Sequence, residues 1–202
     1  MKLLLFSDLH CDIVAAQRLV DQARQVDVVV GAGDFANVRR GLDQAMAVLK
    51  AISQPLVLVP GNSESDEELS WACQGWPNAH VLHGSGTTIA GVDFYGLGGG
   101  IPVTPFGAWS FDFTEAEADQ LLAGCPSSGV LVSHSPPQGV LDRSSRGEHL
   151  GSIAIRRAIE QRQLQLVVCG HIHASAGQEA MLGQTTVINA GPRGIIWELP
   201  RW

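Results

Sequence analysis

The sequence predicts an α/β protein built as a four-layer α/β/β/α sandwich, with two mixed sheets face to face and helices outside. Three features of the pattern predict it. Apolar runs rich in Val and Leu alternate with helical stretches through the first third of the chain. Short strand-like runs then follow each other across glycine-rich turns, and the last third returns to strand and helix before ending in strands.

Taken in order, strand 2–6 leads to a helix over 13–25, for which Asp12 is a cap sooner than a metal ligand. Strand 26–30 precedes a helix over 39–51, and strand 56–59 precedes a helix over 66–74. This rhythm implies parallel strands joined by right-handed crossovers. Ser63 and Ser65 are candidate caps of the third helix, with Glu64, Asp66, Glu67 and Glu68 favourable in its first turn. The runs 79–82, 87–89 and 92–97 are expected to pair antiparallel. Residues 98–107 carry too much Gly and Pro for regular structure and form a loop of a length that is often functional. Helix 115–123, strand 130–132, helix 153–163, strand 166–169 and strands 185–189 and 195–199 complete the chain. With no internal repeat and no linker, residues 1–202 are expected to form one domain.

A formal charge of −7 without any basic stretch argues against extended nucleic-acid binding. Two divalent cations between Asp8 and Asp34 would cancel part of that charge. The apolar run 3–6 is shorter than a signal peptide requires, and no run approaches the roughly 20 apolar residues of a membrane span. The four cysteines (Cys11, Cys73, Cys125 and Cys169) show no paired spacing, which fits reduced thiols and a cytoplasmic location.

Chemistry is concentrated just past the strands. Five of them deliver Asp8 and His10, Asp34, Asn62, His134, and His171 with His173, seven side chains able to bind metal. The carboxyl ends of strands are where open α/β sheets bind ligands. A two-metal hydrolase needs a bridging carboxylate, because adjacent cations repel, and neutral ligands that leave positions open for water and substrate. Asp34 is the natural bridge. Asp8 and His10, two residues apart, can reach one metal from a single turn, and the equal spacing of His171 and His173 lets them serve adjacent sites. Mixed nitrogen and oxygen ligation suits manganese, iron, zinc or nickel, and is too rich in nitrogen for calcium.

The ordered set Asp8-x-His10, Gly33-Asp34-x-x-Asn37, Gly61-Asn62, His134 and Gly170-His171-x-His173 resembles the calcineurin-like metallophosphoesterase superfamily over nearly the whole chain. The resemblance implies a dinuclear centre with Asp8, His10, Asp34 and His173 on one metal, and Asp34, Asn62, His134 and His171 on the other. It also implies attack of a bridging hydroxide on phosphorus, with Asp34 and Asn62 in the catalytic set. The segments 133–142 and 147–152 are similar to an Icc-related branch, with the MPPED phosphodiesterases as more distant members. That branch implies a phosphate-ester substrate, diesters ahead of monoesters, with nucleotide-like esters among the candidates.

One position departs from the pattern. The superfamily usually carries His after Gly-Asn; here it is Ser63, a poor general acid at neutral pH. Preference for good leaving groups follows, together with extra room beside the metals, and His149 is the candidate replacement acid. Several residues keep two readings. Asn37 orients substrate or caps the helix at 39; His149 touches substrate or is structural; Arg193 reaches phosphate or is an exposed turn residue. Cys11 is a buried small hydrophobe ahead of a metal neighbour, and His80 and His83 fit surface or turn roles. The loop 98–107, with Trp109 and Phe111, walls a cleft or forms a homo-oligomer contact. The alternatives to a phosphodiesterase are a broad phosphomonoesterase and a metal-binding scaffold without catalysis.

Overall fold

The computed structural model describes residues 1–200. Strand β1 (Lys2–Phe6) is buried on both faces after Lys2, as a central parallel strand must be. It is followed by α1 (Ile13–Ala23), β2 (Val28–Ala32), α2 (Leu42–Leu49), β3 (Leu56–Val59), α3 (Asp66–Ala72) and β4 (Ala79–Val81). The middle supplies β5 (Ser85–Ile89), β6 (Val92–Leu97), α4 (Glu115–Leu121) and β7 (Val130–Ser133). The remainder is α5 (Ile153–Arg162), β8 (Leu166–Cys169), β9 (Gln178–Leu182), β10 (Thr185–Asn189) and β11 (Ile195–Glu198).

Two mixed sheets result. The first has the order β11-β1-β2-β3-β4, parallel except where β11 returns against β1. The second has the order β5-β6-β7-β8-β10-β9, parallel at its centre and antiparallel at both edges. Strand alternation divides the apolar side chains among three cores. Leu4, Phe6, Val29, Leu56 and Leu58 meet Leu19, Met46, Leu49 and Leu69 of the first three helices. Leu3, Leu5, Val30 and Val57 turn the other way, onto Phe94, Val132, Val168 and Ile188 of the second sheet. The outer face of that sheet, with Leu131, Val167 and Val187, packs on Ala118, Ile155 and Ile159 of α4 and α5. The four expected layers are therefore present. Deleting one such side chain, Leu5→Ala for example, typically costs about 2–5 kcal/mol.

Local chemistry explains the helix starts. Asp12 caps α1, accepting from the amides of Val14 and Ala15. Ser65 and Glu68 close a reciprocal capping box on α3, and Thr114 and Glu117 do the same on α4. The helix expected from 39 begins later, at Leu42. Asn37 and Arg40 bond across a tight turn, and Gly41 (φ 75°) opens the helix, so Asn37 caps nothing.

Two further expectations are corrected. The run at 79–82 does not pair antiparallel with its successors; β4 joins β3 in parallel, with Leu56 opposite Ala79, because α3 carries the chain back over the first sheet. Of these three runs, only the two that become β5 and β6 pair antiparallel. Strand β9, Gln-Glu-Ala-Met-Leu, was not predicted. It is an edge strand of residues without β preference, held by its register with β10. Among the described residues no helix is long and apolar enough to cross a membrane.

All four cysteines are free thiols. Burial pushes Cys73 and Cys125 up to about 11 and Cys169 higher still, while half-buried Cys11 is raised less. Alkylation with iodoacetamide at pH 8, followed by mass spectrometry, is therefore expected to modify Cys11 first and to spare Cys169 until denaturant is added. Early labelling of Cys169 would contradict this packing.

Candidate metal centre and active-site cleft

The seven candidate ligands all follow strand ends, where the two sheets meet. The backbone of Asp8 donates to Gly33, that of His10 to Asp34, and that of His134 to Leu97. The amide of His171 donates across the sheets to Asp8 Oδ1 at 3.0 Å. Asp8, His10, Asp34 and His171 have φ of 55°, 44°, 57° and 65°, a left-handed conformation that costs non-glycine residues of order ~1–3 kcal/mol each. Two glycines allow the crowding: a Cβ on Gly61 would strike Asp34, and one on Gly170 would lie 2.6 Å from Asp8 Oδ2.

Ring nitrogens with lone pairs face each other in two groups. His10 Nδ1 lies 3.2 Å from the Ala36 carbonyl and donates to it, leaving a lone pair on Nε2 of the neutral ring. That Nε2 sits 3.1 Å from His173 Nε2 and 3.5 Å from Asp34 Oδ2, and His173 Nε2 is 3.6 Å from Asp8 Oδ1. In the second group His134 Nδ1 donates to Ala32 at 2.8 Å. Its Nε2 then faces Asn62 Oδ1 at 3.2 Å, His171 Nδ1 at 3.2 Å and Asp34 Oδ1 at 3.5 Å. His171 Nδ1 is also 3.1 Å from Asn62 Oδ1. Asp34 thus offers one oxygen to each group.

Such apposed acceptors repel unless a cation lies between them. Ligands bonded to one ion at about 2.0–2.2 Å stand roughly 3–3.5 Å apart, which is the spacing found here. The donor set therefore fits divalent metals: Asp8, His10, Asp34 and His173 could hold one ion, and Asp34, Asn62, His134 and His171 another. The closest carboxylate and imidazole groupings are Asp8 with His10 and His173, and Asp8 with Asp34 and His134.

The protonation of Asp8 and His171 agrees with this. Burial alone would raise Asp8, but His173, His134 and Ser7 outweigh it and hold the carboxyl near about 2. Burial, with His134 beside it, pushes His171 down to about 4. A charged carboxylate and a neutral imidazole are the forms metals bind. For His134 burial opposes charging, yet Asp34 and Asp8 win and the net shift is upward; His173 is raised chiefly by its hydrogen bond to Asp8.

Two supporting groups escaped the sequence reading. Glu64 is not part of the first turn of α3. It precedes the cap Ser65, is fully buried, and accepts from Gly61 at 2.7 Å, Phe35 at 3.3 Å and Ala36 at 2.9 Å. It thereby ties the Asp34 turn to the Asn62 turn. Burial, helped by the Asp34 carboxylate, pushes it up to about 7. Its position just before the Ser65–Glu68 box was the one available signal. The second group is Ser110 with Asp112. Asn62 Nδ2 donates to Ser110 Oγ at 3.1 Å, and Ser110 Oγ donates to Asp112 Oδ1 at 2.8 Å, which turns Asn62 Oδ1 toward His134 and His171. No spacing rule relates residues 62, 110 and 112.

A cleft of about 390 Å³ opens over these ligands. Asn37 and Ser63 line it, as do Val38, Phe106, Trp109, Ser144, Leu150 and Ile172, and among the described residues no Lys or Arg does. Phe111 packs on His83 instead of lining the cleft. His149 lies outside the lining, with Nδ1 2.8 Å from buried Asp142. Arg193 lines a separate groove with Ala176 and Pro192. Cys11 is half-buried and donates to the Arg40 carbonyl; His83 accepts the Gly98 amide, and His80 meets Thr87.

Because Glu64 serves three buried amides, Glu64→Gln would set an amide group against one of them. At pH 8, where Glu64 is charged, loss of a charge-assisted bond predicts about 2–3 kcal/mol lower stability in urea unfolding, with metal affinity weakened about 10–100-fold in titration calorimetry. An unchanged unfolding midpoint would refute the positioning role.

Residues 1–198 match the model of the calcineurin-like phosphoesterase superfamily domain. No curated protein matches the sequence. Among solved structures, TT1561 of Thermus thermophilus superposes with a TM-score of 0.77 at 17% identity, covering 98% of this chain and 99% of that one. A dimetal phosphatase from Danio rerio gives 0.64 at 15% identity, covering 94% and 86%. The phosphopantetheinyl hydrolase of Mycobacterium tuberculosis gives 0.58 at 14% identity, covering 94% and 88%. At these identities the neighbours speak for the fold, and the family model for the kinship: the chain belongs to the calcineurin-like phosphoesterase superfamily.

Proposed function

We propose that the protein is a phosphodiesterase whose reaction centre holds two divalent cations, manganese being the first choice. The observation that carries this reading is Asp34, whose two oxygens face separate donor groups at a cleft with no Lys or Arg among its described lining residues. When bound, the cations would neutralise charge on the phosphoryl oxygens and lower the pKa of water. The protein's own part is placement. Asp34 spans both groups, Asn62 is held by Ser110, and His10 and His134 are held by backbone carbonyls with their free nitrogens toward Asp34.

Charge decides between ester classes. A phosphate monoester gains a second negative charge near neutral pH, whereas a diester keeps one. Among the described lining residues no Lys or Arg adds to the charge of the two cations, so the centre alone can match a monoanionic diester, while the further charges of a polyphosphate would find no side-chain partner. Ser63 lines the cleft where the superfamily has histidine, so its hydroxyl supplies no useful proton to a leaving alcohol. Asn37 stands at the same wall as Ser63 and could contact a phosphoryl oxygen. His149, braced by Asp142, is the remaining candidate acid, and Arg193 would need to cross from its own groove.

The test is hydrolysis of bis-p-nitrophenyl phosphate and p-nitrophenyl phosphate by protein stripped of metal and reloaded with manganese. The diester should show the higher kcat/KM, and Asp34→Asn should lower it by at least about 10²-fold. Rate should fall steeply with leaving-group pKa. A flat dependence that steepens in His149→Ala would establish His149 as the acid, and monoester preference would overturn the diester assignment.

A further inference from the structure

The cleft has an apolar side that the phosphate chemistry does not use. Val38, Phe106 and Leu150, from three separate segments, are each 42–51% exposed, and all three line the same cleft as the metal-binding side chains. Phe106 and Trp109 are stacked, their ring centroids 5.5 Å apart at an interplanar angle of 14°. Stacked on Trp109, Phe106 still keeps about half of its surface open to solvent. Water gains nothing from such a surface, while a flat apolar group laid on it would be removed from solvent and would extend the stack.

This surface is anchored to the reaction centre. The Phe111 amide donates to the Asn62 carbonyl at 3.0 Å, and the Asn62 side chain donates to Ser110 at 3.1 Å. Thr104, two residues before Phe106, bonds Asp112 through its hydroxyl at 2.6 Å and its amide at 2.9 Å. The loop bearing both rings is therefore tied on one side to Asp112 and on the other to Asn62, whose side chain Ser110 holds.

We infer that Phe106 and Trp109 form a stacking platform for one ester substituent, and that the preferred substrates are monoanionic phosphate diesters bearing an aryl or heteroaryl group. The platform rests on the phosphodiesterase reading for its substrate but not for its test, which is binding. Beyond the two cations the described lining offers no side-chain partner to a polyanionic ligand, and the rings favour an aryl over a small alkyl ester.

The experiment compares diphenyl phosphate with dimethyl phosphate, which share charge and head group, by titration calorimetry on the manganese-loaded full chain. Diphenyl phosphate is expected to bind at least about tenfold tighter, or dimethyl phosphate to give no heat at all. Phe106→Ala should cut that ratio at least about threefold, and Phe106→Leu, which keeps bulk but not the ring, should fall between. Phe106 is half exposed, so both variants should fold, and manganese stoichiometry verifies the centre. Equal binding of the two esters, no binding of diphenyl phosphate, or a ratio indifferent to Phe106→Ala would each overturn the platform. Failure of the wild type to hydrolyse any diester would instead overturn the phosphodiesterase reading, leaving the binding ratio to stand or fall alone.

Discussion

Asp34 is the carboxylate on which the arrangement depends. It faces His10 with one oxygen and His134 with the other, and the Ser63 amide donates to the latter at 2.8 Å. Everything near it restricts its motion. Its backbone is left-handed, Gly61 leaves room for its side chain and no more, and Glu64 holds the next two amides of its turn. Without cations the same geometry is unfavourable, since lone pairs and carboxylates are pressed together at hydrogen-bond distance. Such a site persists because the layers beneath it are stable enough to impose it.

Those layers also explain why ligands from distant parts of the chain meet. The inter-sheet core of Leu3, Leu5, Val30 and Val57 against Val132, Val168 and Ile188 sets one sheet over the other. With the central strands of each sheet parallel, their carboxyl ends open at the same edge. The His171 amide bonded to Asp8 shows the two sheets touching there. A core substitution that slid one sheet by part of a residue would thus be felt at the donors before it was felt in overall stability.

Much of this was readable in the chain. Continuous Val- and Leu-rich runs located the central strands, and the candidate ligands were read from the residues just past them, because both depend on neighbours in sequence. What could not be read depends on partners far along the chain. Strand β9 is a strand only because β10 lies beside it, and β4 belongs to the first sheet only because α3 returns it there. Asn37 looked like a helix cap until the turn closed by Arg40 displaced the helix start to Gly41. Glu64, Ser110 and Asp112 support the centre through contacts that no spacing encodes. The phosphate side of the cleft was therefore easier to read than the Phe106 side, which is assembled from loops.

The account stands or falls on one carboxylate shared by two cations. The most direct measurement is anomalous scattering at the manganese edge from crystals grown with manganese. The account predicts two peaks per chain, both within bonding distance of Asp34, one flanked by Asp8, His10 and His173 and the other by Asn62, His134 and His171. A single peak, or peaks that do not share Asp34, would contradict it.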